Sequence, residues 1–144
     1  MTRRFLSLFA AGAVALAAGP ALALSVVTHL TPTLTAAPVH YVGHCPGVIT
    51  FHGKVFVAGH FQPGSTVEIG YQFSRSDGAT GPNQFFSVSG PGPHDIVETW
   101  TLGGAQLPHV AGWEHYKVWV TDSAQGGQMP PKWSNEAHFT LVCH

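Results

Sequence analysis

The chain has 144 residues, of which 44% are apolar and only 9% charged, with 17 Gly, 11 Pro, 10 His, 2 Cys and a formal net charge of −1. That length holds one small domain. Beyond Ala23 the only basic residues besides histidine are Lys54, Arg75, Lys117 and Lys132, too few and too scattered to neutralise a row of phosphates, which excludes nucleic acid as a partner.

Met1 to Ala23 carries Arg3 and Arg4, then an apolar run rich in Ala and Leu, then Ala21-Leu22-Ala23. This is the pattern of a signal peptide cleaved after Ala23, and it implies a secreted or periplasmic protein. No second apolar run reaches membrane-spanning length, so no transmembrane segment is expected in the mature protein. Cysteines exported to an oxidising compartment pair, and Cys45 and Cys143 are the two available. Closing so long a loop stabilises by about 4–5 kcal/mol in the chain-entropy picture.

Residues 24–38 include Thr31-Pro32-Thr33-Leu34-Thr35-Ala36-Ala37-Pro38. With two prolines and no clear period, they read as a linker or edge segment, and the domain proper is expected over residues 39–144. From there apolar residues alternate with period two. Ile49, Phe51, Val55 and Val57 share one parity, as do Val67, Ile69, Tyr71 and Phe73. Phe85 to Val88 is a shorter strand candidate, and Gly90-Pro91-Gly92-Pro93 after it reads as a turn. Ile96 to Leu102 is the next strand, followed by Tyr116, Val118 and Val120 alternating with Lys117, Trp119 and Thr121. The last run alternates Ala137, Phe139, Leu141 and Cys143 with His138, Thr140, Val142 and His144.

No stretch sustains a helical period, and short strands broken by Pro/Gly turns predict an all-β sandwich of about seven strands, of immunoglobulin or fibronectin III type. The ordered series Cys45-Pro46-Gly47-Val48-Ile49-Thr50-Phe51-His52-Gly53, Tyr71 to Ala79, Thr99-Trp100-Thr101-Leu102-Gly103, Gly112-Trp113, Ser134 to Phe139 and Cys143 resembles small secreted bacterial Ig-like domains. The resemblance implies that fold and export, and it carries over no catalytic residues.

Histidine is the first functional signal. Imidazole suits copper, zinc and nickel, and His40, His44, His52 and His60 are the candidate metal ligands. Against them, His40 and His44 in an extended segment stand about 13 Å apart, and no His-x-His or His-Glu-x-x-His spacing occurs. Exposed histidines also serve as weakly charged surface groups in place of lysine. Aromatic residues are the second signal. Trp119 and His115 take the outward parity of their strand, and Trp133 sits in the Gly126 to Asn135 loop, while Trp100 and Trp113 are expected to fill the core. Exposed aromatics anchor a protein partner or stack on sugar rings. Arg75-Ser76-Asp77-Gly78 reads as a turn, with Arg75 either paired to Asp77 or capping the turn.

No serine motif and no pair of differently placed carboxylates suggests a catalytic set. The expected function is a non-catalytic binding or envelope-structural domain without a cofactor, its partner an envelope protein or glycan. The alternative is a periplasmic copper- or zinc-binding protein.

Overall fold

The computed structural model describes residues 24–127 and 129–144; the expected signal peptide, residues 1–23, lies outside them. Among the described residues nine strands follow one another: β1 (Val26–Ala37), β2 (His40–Gly43), β3 (Gly47–His60), β4 (Val67–Arg75), β5 (Gln84–Val88), β6 (Gly92–Leu102), β7 (His109–Val120), β8 (Lys132–Trp133) and β9 (Ala137–Cys143). A single helical turn, α1 (Ser123–Gly126), lies between β7 and β8, its first turn capped by the Asp122 carboxylate, which accepts from the Ala124 N–H at 2.8 Å. One sheet has the order β1-β3-β6; the other has the order β2-β9-β7-β4-β5, with β8 paired to β7. The two pack face to face as an all-β sandwich.

The period-two alternation sorts side chains as expected. On β3, Ile49, Phe51, Val55 and Val57 are buried while Val48, His52, Lys54 and Phe56 are exposed. Phe51 meets Trp100 and Phe139 edge-on at ring centroid distances of 5.2 and 5.8 Å, and Phe139 comes from the facing sheet. Such aromatic pairs add about 0.5–1.5 kcal/mol each beyond the area they bury. Tyr116 of β7, fully buried, crosses the gap between the sheets. Its hydroxyl lies 3.2 Å from the Thr33 carbonyl and 3.1 Å from that of Lys54, and donates to this pair. The ring fits because Gly53 stands opposite: a Cβ there would fall 2.5 Å from Ile96 Cγ1 and 3.2 Å from Tyr116 Cε1.

Three features differ from expectation. Residues 26–37 are an edge strand that forms part of the core: β1 pairs antiparallel with β3 from Val26–His60 to Ala37–Thr50, and Val27, Leu30, Leu34 and Ala36 are buried. The sandwich therefore begins before residue 39. A register shift between Val27 and His29 breaks the simple alternation, which is why the segment shows no clear period. β6 begins at Gly92, so Pro93 lies within a strand, opposite Phe56; β6 is an edge, where a missing N–H is tolerated. The four-residue β2 runs parallel to β9, a pairing too short to leave a hydrophobic pattern.

The Cys45–Cys143 disulfide is present, with Cα atoms 5.4 Å apart. It joins the β2–β3 junction to the end of β9, a different geometry from an inter-sheet bridge between central strands. Because Gly53 leaves room for Tyr116, Gly53→Ala is expected to lower stability by about 1–3 kcal/mol through overpacking. Tyr116→Phe, which removes the inter-sheet hydrogen bond, is expected to lower it by about 1 kcal/mol. Urea denaturation of the disulfide-bonded protein measures both, and a Gly53→Ala protein as stable as the parent would contradict this packing.

Candidate functional site

β7 is the central strand of the larger sheet, and its alternation decides what that sheet shows to solvent. With Glu114, Tyr116 and Val118 turned inward and buried, the residues between them, Trp113, His115, Lys117 and Trp119, turn outward. Cross-strand register assembles their neighbours. Trp113 stands opposite His138 and Ala111 opposite Thr140; His115 stands opposite Ser74, and Trp119 opposite Gly70. Phe85 faces Gly70 from the other side, and Trp133 of β8 lies opposite Lys117.

Two aromatic groups result. In the first, the His115 ring lies between two indoles, 4.9 Å from Trp113 and 4.6 Å from Trp133, centroid to centroid. In the second, the Trp119 indole packs directly over Gly70, where a Cβ would fall 2.4 Å from its Cε2. It also meets Phe85 edge-on at 6.4 Å. Lys117 stands between the groups, its Nζ 5.5 Å from the Trp119 ring. Trp133 and Phe85 remain 52% and 53% exposed, a large apolar area to leave in water. A shallow groove of about 410 Å³ adjoins the first group and is lined by Val39, His40, Ala111, Trp113, His138 and Thr140 among others. His40 Nδ1 lies 2.8 Å from Thr140 Oγ1, and His138 Nε2 lies 3.2 Å from Glu136 Oε2. Burial pulls the His115 imidazole below its ordinary pKa against the opposing charge of Glu136, which favours the neutral ring between its two aromatic neighbours.

Trp119, His115 and Trp133 thus share one face, and His115 and Trp133 touch. The expectation that Trp113 fills the core is corrected: only Trp100 does, at 7% exposure, while Trp113 shares the outward parity of His115. Phe85, His138 and Trp113 were missed as members of the face; for Trp113, its even spacing from His115 was the available signal. The histidines His40, His44, His52 and His60 are not brought together. His40 is on β2 and His44 just beyond it, whereas His52 lies in the middle of β3 and His60 at its end, in the other sheet. Among the described residues no group of three or more His, Cys, Asp or Glu side chains is placed to hold a metal ion. Arg75 and Asp77 pair, Arg75 Nη2 to Asp77 Oδ2 at 2.6 Å, while the Asp77 carboxylate also accepts from the Ala79 N–H, which makes the segment the expected turn. His94 stacks on Phe86 at 5.3 Å and Asp95 pairs with Lys54 at 2.8 Å, so these adjacent residues do separate structural jobs.

A second polar locus lies inside. Glu114 is fully buried, and neither carboxyl oxygen has a hydrogen-bond partner. It borders a cavity of about 80 Å³ that Arg75, Thr80, Glu98 and Trp100 also line. The Arg75 guanidinium lies 4.4 Å from the centre of the Trp100 ring. Burial, and secondarily the charge of Glu98, pushes the Glu114 carboxyl up to about 8, so it is predominantly protonated at pH 7.

No protein-family model matches the chain, and no curated protein matches it. A solved structure does: the CARDB domain of a Pyrococcus furiosus protein, crystallised in complex with di-metal ions, superposes with a TM-score of 0.51 at 12% identity, over 85% of this chain and 94% of that one. The likeness establishes the fold as an Ig-like β-sandwich.

Glu114 makes stability depend on pH. Its folded pKa is raised, so its contribution is fully present below about 4.5, its ordinary value, and is lost as pH rises to about 8. Glu114→Gln, which keeps the shape and removes the titration, is expected to flatten this decline and to be more stable than the parent at pH 9. Denaturation midpoints at pH 5, 7 and 9 measure it; identical pH profiles for the two proteins would refute the assignment.

Proposed function

We propose that the chain is a secreted or periplasmic, non-catalytic binding domain that holds an envelope glycan on the outer face of its six-stranded sheet. The observation that carries this reading is the cluster of Trp113, His115 and Trp133, three rings tilted against one another beside the groove of His40, His138 and Thr140. Flat rings next to hydroxyl and imidazole groups suit a sugar, whose C–H face stacks while its hydroxyls hydrogen-bond at the edge. The leader-like residues 1–23 and the disulfide support a location outside the cytoplasm, and no helix among the described residues is long and apolar enough to cross a membrane. An Ig-like sandwich that presents these aromatic groups on a rigid sheet supports a binding role.

Isolated cell-wall polysaccharide and defined oligosaccharides, titrated against intrinsic tryptophan fluorescence, provide the test. Trp113→Ala and Trp133→Ala are each expected to weaken binding about tenfold or more, as loss of a central aromatic anchor does. Phe56→Ala, an exposed aromatic on the opposite sheet, is expected to leave it unchanged. Equal binding by all three variants, or none by the parent, would overturn the reading.

A further inference from the structure

β2 and β9 run parallel from His40–Thr140 to Gly43–Cys143, and one residue beyond each strand stands a histidine, His44 and His144. Two links join these two positions, and a third contact steadies the His44 backbone locally. The His144 N–H donates to the Gly43 carbonyl at 3.1 Å, the Tyr41 hydroxyl donates to the His44 carbonyl at 2.6 Å, and the disulfide joins their immediate neighbours Cys45 and Cys143. The two imidazole rings stand 5.7 Å apart, centroid to centroid, tilted by 46°. They border a pocket of about 310 Å³ lined also by Cys45, Gly104, Pro108 and Cys143, with no Lys or Arg among its lining residues.

We propose that His44 and His144 form a two-imidazole site for one divalent transition-metal ion, Cu2+ in preference to Zn2+, with solvent completing the coordination. A metal–nitrogen bond of about 2.0–2.1 Å puts each ring centroid about 3.2 Å from a shared ion, so two ligating rings stand about 4.5–6.4 Å apart over bond angles from square to linear. The observed separation lies inside that window. Imidazole donors suit this class of ion, and copper(II) heads the divalent affinity order. The disulfide and the strand pair supply the preorganisation, since both backbones are fixed before the ion arrives. This site is independent of the aromatic face, and it differs from the quartet read from the sequence: the partner of His44 is His144, and His40, His52 and His60 take no part.

The experiment is a titration of the disulfide-bonded protein with Cu2+ in a non-chelating buffer, followed by paramagnetic broadening of backbone amide signals. Broadening is expected first at residues 43–45, 104–108 and 142–144. His44→Ala and His144→Ala, both at exposed positions, are each expected to weaken binding by about 10–100-fold or more, since loss of a direct ligand costs at least as much as loss of a residue that only orients one. His52→Ala is expected to bind like the parent, and Zn2+ to reverse the broadening only in excess. Broadening centred on His40 and His138, broadening spread evenly over all the histidines, or unchanged affinity in both single variants would each overturn the proposal.

Discussion

Tyr116 bridges the two sheets, and the direction in which it points constrains most of what surrounds it. Its ring occupies the space that Gly53 leaves empty, and its hydroxyl reaches the Thr33 and Lys54 carbonyls of the facing sheet. Side chains alternate strictly along a strand, so a one-residue slip of β7 would turn every core residue to solvent. Fixing Tyr116 and Val118 inward therefore fixes Trp113, His115, Lys117 and Trp119 outward. The aromatic face is a consequence of the core.

The same constraint carries a cost at Glu114. It shares the parity of Tyr116 and is buried with it, without a hydrogen bond to either oxygen. An ionised carboxylate there would be strongly unfavourable, and the protein meets this by keeping the group protonated. Arg75 lines the same cavity, its guanidinium engaged by Asp77 and stacked on Trp100, and its charge pulls the Glu114 carboxyl down by less than burial pushes it up. Core packing in this region prevails over electrostatics.

The histidines fall into distinct environments although they look alike in the sequence. All but His94 and His115 are exposed. His115 is a half-buried ring packed against two tilted indoles, and His94 stacks on Phe86. His40 and His138 edge the groove, while His44 and His144 stand side by side where the disulfide closes β2 onto β9. The aromatic face is built by the register of β7, and the His44–His144 pair by a covalent bond and a short parallel pairing.

The all-β class, the inward and outward parity of β3, β4, β7 and β9, and the pairing of two cysteines were legible because each is local or compositional: alternation is a property of neighbouring residues, and two cysteines in one chain have a single intramolecular pairing. The outward placement of His115 and Trp119 followed from the same rule. Other features required the folded chain. Membership of β1 in the core was hidden by its register shift and prolines. Trp113 is outward by its even spacing from His115, although the sequence reading expects it in the core. Glu114 is costly only because Glu98 and the apolar core surround it, and those residues arrive from other strands. The approach of His44 to His144 joins positions 100 residues apart through a parallel pairing of four residues. Sequence alternation tells a side chain which face of its strand to occupy; only tertiary structure decides which strand lies alongside, because that choice is made by packing between segments distant in the chain.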